Sequence, residues 1–98
     1  MTPFVADFAG ATIVASPNVN ERADGMRPDI LLLHYTGMPS EQGALDWLAS
    51  PESQVSSHYF VRENGEIIQM VPERLRAWHA GRSFWKGLTD INSASIGI

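Results

Sequence analysis

The sequence predicts an α/β domain, and three local patterns carry that expectation. Ile30-Leu31-Leu32-Leu33-His34-Tyr35 is a short apolar run bounded by Pro28-Asp29 and Thr36-Gly37, the pattern of a central strand covered on both faces of a sheet. Downstream, Ala44, Leu45, Trp47 and Leu48 fall at helical spacings. Farther on, Asn64-Gly65 separates two stretches rich in aromatic and β-branched residues, which reads as a hairpin.

Taken in order, the leading residues end in a mostly polar stretch from Ala15 to Pro28 with Pro17, Asn18, Asn20 and Gly25, which reads as a surface loop. The strand Ile30–Tyr35 follows. Pro39-Ser40-Glu41 starts a helix, with serine as cap and an acid in the first turn. Pro51 stops it, and the short amphipathic helix is expected to pack on the sheet. Ser56 to Arg62 is the next strand, with His58 on the face of Ser56 and Phe60. Asn64-Gly65 then favours a type I′ turn, because both residues tolerate positive φ. Ile67 to Val71 returns and Pro72 ends it, Arg76 to Trp85 is aromatic and loop-like, and Ser95-Ile96-Gly97-Ile98 begins another strand. The chain thus divides into a leading segment and loop (1–28) and a core (29–98). A strand at the very end predicts the N-terminal part of something longer.

Composition narrows the functions. Ninety-eight residues make one domain with one modest core. The 44% hydrophobic and 18% charged residues are those of a folded protein. Eleven acidic against seven basic residues, net −4, argue against a nucleic-acid or anionic-membrane footprint. With no cysteine, disulfides, thiolate zinc fingers and cysteine nucleophiles are excluded within the chain. No apolar stretch approaches the roughly 18 residues of a membrane span. Met1 to Gly10 has no basic region of a signal peptide, so a cytoplasmic protein is the expectation.

The chemistry rests on three histidines, the side chains that titrate near neutrality and ligate metals most readily. His34 closes the apolar strand, where loops open a sheet surface. It is either a reactive group there or an imidazole satisfied by a backbone carbonyl. His58, within its strand, either supports a site or is merely half buried. His79 follows Trp78 on a glycine-containing loop, a wall for sugar or peptide or else a plug over the core. No two histidines stand at a local metal spacing.

In order, His34-Tyr35-Thr36, Val55-Ser56-Ser57-His58-Tyr59-Phe60-Val61, Asn64-Gly65-Glu66-Ile67, Ala77-Trp78-His79-Ala80-Gly81, and Asn92 with Ser95-Ile96-Gly97-Ile98 together resemble the zinc-dependent N-acetylmuramoyl-L-alanine amidases. These form the type 2 amidase superfamily, which includes the peptidoglycan recognition proteins; the chain looks closest to its bacterial peptidoglycan-recycling branch. The resemblance spans roughly Ile30 to Ile98, and five motifs in register make it specific.

The resemblance implies a mixed central β-sheet flanked by helices on both faces. It implies zinc held by two histidines and a further ligand, usually aspartate, with His34 matching the first. The reaction would be hydrolysis of the amide between the lactyl group of N-acetylmuramic acid and L-alanine, on peptidoglycan or a muropeptide. His58 matches a strand position facing the site in some members and is expected to assist substrate or transition state. Ala77, Trp78 and His79 match a loop lining the substrate groove, and Asn92 a position near it. The family's catalytic glutamate, second zinc histidine and third ligand all follow the position matching Ile98, and neither His58 nor His79 matches a zinc ligand. The 98 residues alone are therefore expected to be inactive, completed by a C-terminal segment or a second chain. The rivals are a non-catalytic peptidoglycan-binding module and a domain that serves only assembly.

Overall fold

The hairpin around Asn64-Gly65 forms the middle of a mixed sheet. The computed structural model of the chain describes residues 4–98. Its strands are β1 (Thr12–Ile13), β2 (Val19–Glu21), β3 (Ile30–Leu32), β4 (Tyr59–Val61), β5 (Ile67–Gln69), β6 (Leu75–Ala77) and β7 (Ser95–Gly97), with helices α1 (Glu41–Leu48) and α2 (Ile91–Ala94).

β4 and β5 pair antiparallel with Phe60 opposite Ile68, and β1 runs parallel along the other edge of β5 with Thr12 opposite Ile68. β3 and β7 pair parallel, Ile30 opposite Ser95 and Leu32 opposite Gly97. His58 joins the two sets where the chain bends just ahead of β4. Its N–H donates to Gly97 O at 3.0 Å, and its carbonyl accepts from Met70 N–H at 2.8 Å. Backbone bonding therefore runs β3-β7-β4-β5-β1. Separately, β2 pairs antiparallel with β6, Asn20 opposite Arg76.

α1 begins as its sequence dictates. The Ser40 hydroxyl accepts from Gly43 N–H at 3.0 Å, and Glu41 lies in the first turn, satisfying a free helix donor and the helix dipole. Ala44 and Leu45 turn inward against Phe60, Ile68, Met70 and Val71. Each large apolar side chain buried there contributes roughly 1.5–3 kcal/mol.

Four expectations need correction. The strand ending near His34 is not covered on both faces among the described residues. β3 pairs only with β7, and Leu31, Leu33 and Tyr35 stand 63%, 70% and 91% exposed. The polar stretch Ala15–Pro28 is not a surface loop, because it contains β2 and buries Ser16, Asn18 and Arg22. Their polar atoms anchor other segments: the Asn18 amide donates to Ser50 O and Val55 O, and the Arg22 guanidinium to Glu73 O, Asn92 O and Ser93 O. The Arg76–Trp85 loop starts inside β6. Finally, the hairpin turn is not type I′. Gly65 N–H donates to Arg62 O and Arg62 N–H to Glu66 O, with Gly65 alone of the pair at positive φ (90°). A three-residue loop with glycine at its left-handed position gives this pattern.

Candidate functional site

His34 lies two residues beyond β3, and its N–H donates to Ile98 O at 2.8 Å, continuing the β3–β7 pairing. The side chain is exposed and lines a cavity of about 610 Å³ whose walls include Tyr35, Met38, Trp47 and Val55. His79 enters the same cavity from the loop after β6. Its position is set by Asn92 at the start of α2. Asn92 Oδ1 accepts from His79 N–H (3.0 Å) and Ala80 N–H (2.8 Å), and Nδ2 donates to Ala80 O (3.0 Å).

The two imidazoles meet edge to face, with His34 Nε2 and His79 Nδ1 2.9 Å apart. Behind them, His79 Nε2 lies 2.9 Å from Ser95 Oγ, which donates to Ile91 O at 2.7 Å. Gly97 makes room for the His79 ring, since a Cβ there would come within 2.5 Å of its Cγ.

Burial, reinforced by the neighbouring His34 and His58 rings, pushes the His79 imidazole down to about 4. Burial likewise lowers His58, against the opposing pull of its hydrogen bond to Leu75. At Asp90, burial works to raise the carboxyl, but hydrogen bonds from Ser93 and Arg76 prevail and hold it below the usual carboxylate range. That carboxylate caps α2 through Ser93 N–H and pairs with Arg76 at 2.9 Å.

Of the residues singled out from sequence, the fold brings His34 and His79 together and places the others differently. His58 does not face the cavity. It is fully buried; Nδ1 accepts from Gly97 N–H at 3.1 Å, and Nε2 therefore donates to Leu75 O at 2.8 Å. Both ring nitrogens are occupied, so the ring ties β7 to β6 and no nitrogen remains for a substrate. Ala77 is fully buried in the core, its backbone paired with Val19. The Asn92 amide holds the His79–Ala80 backbone, and Asn92 also borders the second hollow that Trp78 lines. Trp78, half-buried, donates from its indole to Asn20 Oδ1 at 3.1 Å and borders a second hollow of about 530 Å³ with Arg76, Ala80 and Asn92. His79 and Val55 line both hollows, so the two adjoin.

Sequence reasoning missed Arg22, Ser95 and Gly97. A glycine inside a strand pattern is a signal of close approach, and Gly97 carried it. Nothing local marks Arg22, whose partners lie on other segments, and Ser95 stood within the Ser95–Ile98 run without a role of its own.

As a metal ligand, His34 fits singly. It faces the cavity, and its Nδ1 makes no hydrogen bond among the described residues. Two nitrogens on one tetrahedral zinc would sit about 3.3 Å apart, whereas the His34–His79 separation is that of a hydrogen bond. Among the described residues no three His, Cys, Asp or Glu side chains form a metal-holding group.

Residues 24–98 match the family model described as N-acetylmuramoyl-L-alanine amidase. The 1,6-anhydro-N-acetylmuramyl-L-alanine amidase AmpD of Escherichia coli is 36% identical over 93% of the chain and 59% of its own length. A crystal structure of a selenomethionine AmpD derivative superposes with a TM-score of 0.71 at 36% identity, covering 92% of this chain and 60% of the other. AmiD from E. coli, solved in complex with anhydro-N-acetylmuramic acid-L-Ala-D-γ-Glu-L-Lys, gives a TM-score of 0.64 at 42% identity, over 80% of this chain and 32% of the other. The chain thus spans about three-fifths of the AmpD relatives it matches.

Proposed function

The chain belongs to the N-acetylmuramoyl-L-alanine amidase family, and from that premise we propose that it supplies the N-terminal portion of a zinc hydrolase acting on peptidoglycan fragments. The bond cleaved is the amide between the lactyl group of N-acetylmuramic acid and the L-alanine of the stem peptide. The observation that carries the reading is His34 at the end of β3, open to a cavity and braced by His79. That AmiD binds an anhydromuramyl peptide supports a muropeptide as the ligand.

In this reading His34 is one of three zinc ligands. Zinc, when bound, acidifies a water to a pKa of about 7 and draws electron density from the amide carbonyl. His79 orients His34. The apolar walls at Tyr35, Trp47 and Val55 offer the sugar or alanine side a surface to pack on. Trp78 and the backbone at Ala80 border the adjoining hollow, where the rest of the ligand lies. His58 acts only by holding β7 in place.

A catalytic zinc takes three protein ligands, and one imidazole holds it weakly. The 98 residues alone are therefore expected to release no L-alanyl peptide from anhydromuropeptide, with or without added zinc. The same residues extended by the remainder of an AmpD-like domain are expected to turn over, and His34→Ala in the extended protein to abolish both zinc retention and turnover. Hydrolysis by the 98 residues alone, or full zinc retention by extended His34→Ala, would defeat the reading. Muropeptide binding without turnover by the extended protein would point instead to a recognition module.

A further inference from the structure

We propose that Asn64 is a site of spontaneous covalent modification: its side-chain amide is lost through attack by the backbone nitrogen of Gly65, leaving aspartate or isoaspartate in the turn between β4 and β5. The inference is independent of the metal reading of His34.

Ring closure of this kind needs a following residue that does not crowd its own nitrogen, an amide free to react, and a donor for the charge that builds on the amide oxygen. The chain has asparagines at Asn18, Asn20, Asn64 and Asn92, and Asn64 alone is followed by glycine. Gly65 lies at φ 90°, with open space where a β-carbon would stand. Glu63, Asn64, Gly65 and Glu66 are all exposed. Asn64 Oδ1 accepts from Glu66 N–H at 2.9 Å. That donor draws electron density from Cγ and stands where the negative charge of the tetrahedral intermediate forms. Nδ2, the leaving group, makes no hydrogen bond among the described residues. The other asparagines differ in each respect. Asn18 is buried and its amide nitrogen donates to Ser50 O, Ser53 Oγ and Val55 O. The Asn92 amide is bonded on both ends to the His79–Ala80 backbone. Asn20 is exposed, but it precedes Glu21 inside β2, where its backbone is paired opposite Arg76.

One contact opposes the attack. Gly65 N–H donates to Arg62 O at 2.9 Å, so the reaction runs through openings of the turn. The turn is the exposed tip of a hairpin, where local opening costs least. Its shoulder stays closed, because Arg62 pairs with Glu41 of α1 at 3.2 Å. The step then balances with water as the only co-reactant. Gly65 N gives its proton to solvent base and bonds to Asn64 Cγ. The Cγ–Nδ2 bond breaks, and ammonia leaves with a proton returned from solvent. Water opens the resulting imide ring at either carbonyl. Addition at the side-chain carbonyl gives aspartate on an unaltered backbone. Addition at the main-chain carbonyl gives isoaspartate, with the backbone routed through the side chain and lengthened by a carbon. A three-residue loop has no slack for that carbon. Isoaspartate therefore breaks the bonds that close the turn, Gly65 N–H to Arg62 O and Arg62 N–H to Glu66 O.

The experiment is incubation of the folded chain in warm neutral buffer for weeks, then protease digestion and mass spectrometry of the peptides. The peptide containing Asn64 is expected to gain the mass difference between an amide and a carboxyl, and to separate on a column into aspartate and isoaspartate forms. Peptides containing Asn18, Asn20 and Asn92 are expected to keep their mass over the same period, and Asn64→Gln to show no gain anywhere. Freshly made Asn64→Asp should melt with the starting protein, whereas the isoaspartate fraction of the aged protein should melt lower. An unchanged Asn64 peptide, a gain as fast at Asn20, or a gain seen only when the chain is unfolded in urea would overturn the proposal. An isoaspartate fraction that melts with the starting protein would overturn the account of the loop.

Discussion

At the scale of single residues, small groups decide whether two imidazoles can meet. Gly97 contributes no side chain to the cavity, yet His79 stands where its β-carbon would be. Its backbone also accepts from His58 N–H and donates to His58 Nδ1, so β7 cannot slide to relieve a clash. Gly97→Ala is therefore expected to push His79 off His34. Overpacking of this kind costs about 1–3 kcal/mol. Urea unfolding would measure that loss, and ¹⁵N NMR of the histidine rings would show the His34–His79 contact gone. A variant of unchanged stability with the contact intact would refute the argument. The buried histidine shows the complementary case. His58 looks reactive in sequence, but with both nitrogens bonded to backbone it acts as a cross-strand staple.

At the scale of elements, α1 shows local sequence determining local structure. Ser40 caps, the apolar residues Ala44 and Leu45 turn inward, and the helix ends at Leu48 ahead of Pro51. Pro51 itself opens a 3-10 turn capped by Ser50. Ser40→Ala should cost about 1 kcal/mol, the usual penalty for losing an N-cap, read as a lower melting temperature with the cavity histidines undisturbed. The hairpin was legible as a hairpin from Asn64-Gly65, but not its turn type. Asn64 Oδ1 accepts from Glu66 N–H, and Glu63 N–H is held by Glu41 of α1. A contact from another element thus bears on a choice that the dipeptide alone leaves open.

For the whole molecule, the interior histidines make stability depend on pH. His58 and His79 both have folded-state values below their unfolded ones. The unfolded chain therefore binds more protons as pH falls, and stability present above about 6.5 is lost toward 4, where His79 titrates in the folded state. Asp90 is also depressed, so its contribution disappears only at lower pH. Between pH 6.5 and 5 the metal-free protein should lose several degrees of melting temperature. The loss should shrink in His58→Gln, whose neutral amide does not titrate. A flat melting temperature over that interval would contradict the buried, uncharged state of these rings.

The sequence by itself determined the elements whose signals are local: a strand ahead of His34, a capped helix at Ser40, a hairpin at Asn64-Gly65 and a strand at Ser95. It also carried the family motifs, because they are short runs in a fixed order. Tertiary structure alone decided that the polar stretch Ala15–Pro28 is interior, since Asn18 and Arg22 are satisfied by carbonyls more than thirty residues away. It alone buried Ala77 and His58, bonded the Asn92 amide to the His79–Ala80 backbone, and set His79 beside His34. Periodicity and turn chemistry act over a few neighbouring residues. A hydrogen bond between distant segments leaves no mark on either one until the sheet has closed around both.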